Sequence, residues 1–161
     1  MAKPVLLIIW HSRTGASEAM AMAAASAAGE GARLRYCDDA SAADFLSSGG
    51  YLFACPENLA TLSGAMKEMF DRLYYPLLGQ IEGRPYASII AAGSDGTGAQ
   101  RQLDRIATGW RLRRVADPMI VNFAAQTAEK ILAPKSVAPA QLALCAQMGQ
   151  ALATGLREGI F

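Results

Sequence analysis

The chain is poor in the features that assign a protein quickly. Its three cysteines, Cys37, Cys55 and Cys145, are scattered and form no CxxC pair. That spacing encodes neither a disulfide framework nor a structural zinc site, and it predicts a reduced, cytoplasmic setting. Charge of either sign is also lacking: 15 Lys and Arg against 14 Asp and Glu give a net charge of +1. No strong field therefore selects nucleic acid or an anionic membrane. No basic cluster is interleaved with aromatics, so nucleic acid is not expected as a partner. No apolar run approaches the ~20 residues of a spanning helix. The apolar run after Lys3 is short, and His11-Ser12-Arg13 follows it where a secretory signal would carry a cleavage site.

What is present is apolar and patterned. Hydrophobic residues make up 52% of the 161 and charged residues 18%, which argues for a packed core rather than disorder. The length suits one domain, residues 1–161. Strand-like and helix-like stretches alternate. "PVLLIIW", "ARLRYC", "GYLFAC" and "PYASIIAAG" read as strands, and "MIVNF" is the best candidate for a fifth, with "RLRRV" competing. Between them "GASEAMAMAAASAAGEG", "SAADFL", "LSGAMKEMFDRLYYPLL" and "GAQRQLDRIATGW" read as helices, and "PAQLALCAQMGQALATGLREG" as the last. Alternation of this kind implies parallel strands, right-handed crossovers and helices on both faces. The expectation is a three-layer α/β sandwich around a five-stranded parallel sheet. The stretch from Ala124 to Pro139 has no clear period and reads as a connection or excursion.

In an open parallel sheet, ligands bind beyond the carboxyl ends of the strands. That rule selects His11–Ser17, Pro56–Gly64 and Gly93–Gly98. The first, "HSRTGAS", offers the hydroxyls of Ser12, Thr14 and Ser17, a glycine for a tight turn, and the N-terminus of a helix. Unpaired helix N–H groups and the positive end of the helix dipole make such a place an anion site without a lysine. It lacks the GxxxxGK[ST] pattern of nucleotide triphosphatases, and the glycines at 93, 96 and 98 are in the wrong order for a dinucleotide fingerprint. His11 at the end of the first strand is expected to be structural, Cys55 a small buried thiol, and Met66, Met69 and Phe70 core. Glu57 and Asp95 fall in loops facing the ligand. Arg111, Arg113 and Arg114 near Trp110 read as a solvated edge that could also attract phosphates.

The loop "HSRTGAS" resembles the phosphate-binding loop of the flavodoxin-like superfamily. "CPENLATLSGAMKEMFDRLY" resembles the second flavin loop and following helix of its FMN-dependent NAD(P)H:quinone oxidoreductase and FMN reductase branch, and "ASIIAAGSDGTGAQRQL" resembles the fourth strand and third loop. The match runs from about Lys3 to Arg105. It implies a strand order 2-1-3-4-5. It implies FMN with its phosphate on Ser12, Arg13, Thr14, Gly15, Ala16 and Ser17. The isoalloxazine ring would lie between Pro56, Glu57, Asn58, Leu59, Ala60 and Thr61 on one side and Ser94, Asp95, Gly96, Thr97 and Gly98 on the other. The family usually places an aromatic at or beside Asn58 and Leu59, and this chain has none there. The implied activity is transfer of reducing equivalents from NAD(P)H through FMN to a quinone or similar small acceptor, with no metal and no acid–base residue required. A one-electron carrier, or a non-redox binding module with weak or no FMN, are the alternatives. Neither nucleic acid nor a membrane is an expected partner, and self-association into a homo-oligomer is left open.

Overall fold

The computed structural model describes residues 2–161. Five successive elements set the centre of the molecule: β1 (Leu6–Trp10), α1 (Ala16–Ala28), β2 (Ala32–Tyr36), α2 (Ala42–Leu46) and β3 (Gly50–Asn58). They continue into a short β4 (Thr61–Leu62), α3 (Gly64–Leu77), β5 (Pro85–Ala92) and α4 (Thr97–Gly109). The chain closes with β6 (Arg113–Arg114), β7 (Met119–Asn122), α5 (Ala128–Leu132) and α6 (Pro139–Arg157). The parallel sheet runs β2-β1-β3-β5, and β6 and β7 both pair with the free edge of β5.

The two candidates for a fifth strand are thus halves of one. Arg114 pairs with Tyr86 and Met119 with Ile89, so three steps along β5 face five along its partner. The two extra residues bulge out ahead of Pro118, which has no N–H to give the ladder. The expected count of five strands becomes seven because of this split and because β4 forms a hairpin with β3.

Alternation along the strands sends two different populations to the two faces. Leu7, Ile9, Phe53 and Tyr86 face α2, α3 and α4, where Phe45, Phe70 and Trp110 complete an aromatic core. Leu6, Ile8, Ala54 and Ala87 face α1 and α6, where α1 presents Ala16, Ala21 and Ala24 and α6 presents Cys145, Leu152 and Leu156. The small residues of α1 let α6 approach so closely that a methyl group at Gly149 would run into the Ala24 backbone. Helix propensity favours Ala over Gly by about 1 kcal/mol. Overpacking against a backbone costs about 1–3 kcal/mol, so the collision should win. Gly149→Ala is expected to lower stability by about 1 kcal/mol or more, read from the midpoint of urea unfolding.

Candidate functional site

Two helices of this sheet begin in the same way. Gly15 precedes α1 with φ 97° and ψ −14°, and Gly96 precedes α4 with φ 97° and ψ −18°. A left-handed residue at this place favours glycine, and both loops lie at the carboxyl ends of strands. What occupies the two helix ends differs.

At α4 the end is filled from within. The Gly96 N–H donates to Glu57 Oε1 at 2.9 Å and the Ala99 N–H donates to Glu57 Oε2 at 3.1 Å. Asp95 Oδ1 accepts from the Thr97 N–H at 3.3 Å and from its hydroxyl at 2.8 Å. Hydrogen bonds to a charged group contribute about 1.5–3 kcal/mol each, and the helix dipole adds to a carboxylate at this place. Glu57 reaches α4 because β3 runs on through Pro56, Glu57 and Asn58, then turns back into β4 with Glu57 opposite Leu62. Leu59 and Ala60 make the turn, with φ 51° and 64°. Positive φ at both central positions is the pattern of a type I′ hairpin, normally given to Asn-Gly. Two non-glycine residues there store roughly 1–3 kcal/mol each. The hairpin is clamped on α4: the Leu62 N–H donates to Gln102 Oε1 at 2.6 Å. A methyl group at Gly98 would collide with the Ala60 carbonyl.

This contact corrects the expectation for the two carboxylates. Ala60 lies against Gly98, while Pro56–Asn58 line one cavity together with Ala91, Ala92 and Gly93. Glu57 does not face a ligand with a free carboxylate, because both its oxygens are taken by α4, and the exposed Asp95 is turned to its own helix start. Leu59 is 99% exposed at the tip of the hairpin.

At α1 the end is open. The first intrahelical bond runs from the Ala19 N–H to the Gly15 carbonyl at 3.0 Å, and the Gly15 N–H donates to Ser12 Oγ at 2.9 Å. The N–H groups of Ala16, Ser17 and Glu18 have no acceptor among the described residues. Beside them Ser17 is 1% exposed, and its Oγ is a buried polar atom without a partner. A buried hydroxyl left unpaired costs about 1–3 kcal/mol. Together with the free N–H groups, it fits an anion that accepts hydrogen bonds. The residues of this end therefore suit a phosphate.

Next to it lies a small cavity of about 100 Å³. Its floor is Arg13, Thr14, Pro56–Asn58 and the end of β5 (Ala91 to Gly93). Its roof was not legible as a site: Phe123, Ile131, Leu132 and Lys135 come from the unpatterned stretch after β7. That stretch is pinned by the Ala125 N–H to the Gly93 carbonyl at 2.7 Å and the Lys135 N–H to the Thr14 carbonyl at 2.8 Å. Ala124, with φ 51°, is held there by its N–H donating to Asn122 Oδ1 at 2.8 Å. Lys135 Nζ does not reach into the cavity as a free charge; it caps α5 by donating to the carbonyls of Lys130, Ile131 and Ala133. Phe123 is the one aromatic lining this cavity. Trp10 packs on Tyr36 at 4.9 Å and Trp110 lies in the core against Phe70 at 5.3 Å, so neither serves it. The cavity is not sealed: its roof residues Ile131 and Leu132 are 50% and 69% exposed. The open end of α1 suits the phosphate half of FMN, and the cavity beside it lies where the rest of the molecule would extend.

His11 bridges elements rather than binding a ligand. Its Nδ1 lies 2.8 Å from Ser63 Oγ at the start of α3, and its N–H donates to the Ala54 carbonyl at 3.0 Å. Desolvation pushes its pKa below the ordinary value; nearby Asp38 opposes this and Arg13 assists it. Cys55 is buried and its thiol is pushed up by burial; burial also raises Cys37 to about 12 and Cys145 to about 11. None is a thiolate near neutrality. No group of three or more metal-ligating side chains occurs among the described residues.

The chain's likeness to known proteins agrees with this architecture. An archaeal flavodoxin superposes with a TM-score of 0.78 at 12% identity, over 94% of this chain and 97% of the other. The fold is flavodoxin-like. A WrbA-like flavodoxin from Agrobacterium tumefaciens superposes with a TM-score of 0.72 at 16% identity, covering 98% and 99%. In sequence, a flavodoxin from Aquifex aeolicus is 32% identical over 97 residues, which is 58% of this chain. The chain spans about half the length of that curated relative, 52%. No family model matches the chain.

Two outcomes follow for these residues. Ser17→Ala removes an unpaired buried hydroxyl, so the free protein should melt at an equal or higher temperature while affinity for phosphate-bearing ligands falls about tenfold or more. Opposite signs in the two measurements separate a binding hydroxyl from a packing one. For His11 the folded pKa lies below the unfolded one, so the unfolded chain binds more protons. Stability is then full above the unfolded value of about 6.5 and declines as pH falls through it. Urea unfolding between about pH 7.5 and 5.5 should show this decline, and His11→Asn should flatten it.

Proposed function

We propose that this protein binds flavin mononucleotide by its phosphate at the N-terminus of α1 and passes reducing equivalents to a small acceptor. The observation that carries the reading is the unpartnered Ser17 Oγ beside three free backbone N–H groups. The likeness to flavodoxins in fold, and over 97 residues to the Aquifex aeolicus flavodoxin in sequence, supports the choice of ligand. The residues that would hold the phosphate are Ser12, Thr14, Gly15, Ala16 and Ser17, with Arg13 at the mouth. FMN supplies hydride and electron acceptance when bound. The chain's own part would be to neutralise the phosphate with helix N–H groups, with Thr14, Asn58 and Phe123 lining the space that the rest of the cofactor would enter. NAD(P)H as reductant and a quinone as acceptor complete the reading. A net charge of +1 supports an enzyme over a strongly acidic one-electron carrier. The three buried free thiols suit a reduced cytoplasm.

A second reading rests on the cavity of about 100 Å³ and the closed hairpin. It makes the protein a non-redox module for a smaller phosphomonoester. Titration of the free protein with FMN and riboflavin, followed by flavin fluorescence, decides between them. Under the first reading FMN binds, the protein turns yellow, and NAD(P)H bleaches it with turnover on added quinone. The Thr14→Ala, Ser17→Ala double variant then loses about a hundredfold in FMN affinity, two charged hydrogen bonds, with riboflavin little changed. If neither flavin binds while inorganic phosphate or ribose 5-phosphate raises the melting temperature, the second reading replaces the first.

A further inference from the structure

The outer face of α4 carries charge that the fold does not use. Arg101 and Arg105 stand one turn apart on this helix, both exposed, and neither has an ion pair among the described residues. Like charges at this spacing repel each other. Two open grooves flank them, one of about 570 Å³ toward β6 and β7, the other of about 480 Å³ toward the β3–β4 hairpin, and both arginines line both. Arg114 adds a third guanidinium on the first groove. The one carboxylate in either lining, Asp104, is already engaged. It accepts from Tyr86 Oη at 2.7 Å, from Gln100 Nε2 at 3.1 Å and from Arg114 at 3.2 Å. The face is thus cationic in a chain whose total charge is only +1. At its upper rim the hairpin projects Leu59, 99% exposed, next to Ala60 and Gly98 in the second groove. Broad, open relief with central arginines and an apolar knob matches the composition of protein interfaces rather than of small-molecule pockets.

We propose that this face, centred on Arg101 and Arg105 and rimmed by Leu59, docks an acidic protein surface. The docking does not rest on the flavin reading. Charge complementarity selects the partner. The face starts at Thr97 and Gly98, directly behind the third loop, so a docked protein reaches the mouth of the cavity at the strand ends. Leu59 would give the contact a desolvated apolar centre, and its strained turn holds it rigidly outward.

The test uses a fluorescently labelled plant-type [2Fe–2S] ferredoxin as an acidic probe and a basic cytochrome c as control, titrated by anisotropy with the protein free and after incubation with FMN. The ferredoxin should bind at low ionic strength and the cytochrome should not. Affinity should fall about tenfold or more at about 0.3 M salt, where the Debye length is well under 10 Å. Arg101→Glu with Arg105→Glu should lose about tenfold or more, the Lys double variant should retain most of the affinity, and Leu59→Ser should weaken binding without removing its salt dependence. Arg157→Glu, on α6, should leave it unchanged. Equal binding by the Glu double variant, or equal loss in Arg157→Glu, overturns the proposal. So does tight binding of tripolyphosphate alone at these arginines, measured by calorimetry, because it would assign the face to a small polyanion. If FMN fails to bind, the flavin reading falls by its own absorbance while the anisotropy result on the free protein still decides the docking.

Discussion

The Glu57 carboxylate on the N-terminus of α4 organises the ligand end of the sheet. It makes two backbone hydrogen bonds across a gap of some forty residues in sequence, at 2.9 and 3.1 Å. By doing so it fixes where β3 ends, how the hairpin leans and where the third loop stops. The hairpin could relax its Leu59 and Ala60 backbone if it were free. It is held because Gln102 takes the Leu62 N–H and Gly98 admits the Ala60 carbonyl at a distance no side chain would permit. Local strain of a few kcal/mol is sustained by contacts of comparable worth.

Much of the architecture was legible in the sequence because apolar runs and glycine stops are local signals. "VLLIIW" and "SAADFL" read as the strand and helix they form, with Gly29 closing α1 and a Ser41–Asp44 capping box starting α2 in the structure. The first loop was legible for the same reason, its hydroxyls and glycine being contiguous. The missed features are those that depend on distant partners. A glutamate reaching another helix leaves no periodic trace, and a Leu-Ala turn carries none of the glycine or asparagine that announces a type I′ hairpin. Residues 123–138 carry the roof of the cavity, yet their order comes from two backbone bonds to Gly93 and Thr14 and from Lys135 capping a five-residue helix. The interrupted edge strand read as two competing strands because a bulge splits it.

The scarcity of aromatics near the ligand end has a structural cause. The β-strand alternation commits Phe53 and Tyr86 to one face of the sheet, where they join Phe45, Phe70 and Trp110. The opposite face is aliphatic, with Leu6, Ile8, Leu52 and Ile89 beside Ala54 and Ala87, and the alanines of α1 let α6 pack closely. Phe123, just after β7, packs against this second face and also lines the cavity. Phe123 is thus the aromatic residue available to a ligand at this cavity, from a segment that the sequence resemblance does not cover.

The two helix ends together explain why the open one suits a transient guest rather than a structural ion. Both begin on a left-handed glycine with nearly the same angles. At α4 the covalently attached Glu57 neutralises the end permanently, at little entropic cost, because its backbone is already fixed in β3. At α1 no side chain does so: Glu18, the acidic residue of the first turn, is exposed, and Ser17 Oγ is buried without a partner. The free protein bears that desolvation cost, about 1–3 kcal/mol for the hydroxyl alone. An incoming phosphate recovers it on top of the charge–dipole attraction. Affinity of this kind is stored in the apoprotein before the ligand arrives, so it favours any ligand that brings the anion and discriminates poorly among what is attached to it. Under the proposed phosphate site, discrimination would fall to the cavity beside it, whose roof is formed by Phe123, Ile131 and Leu132.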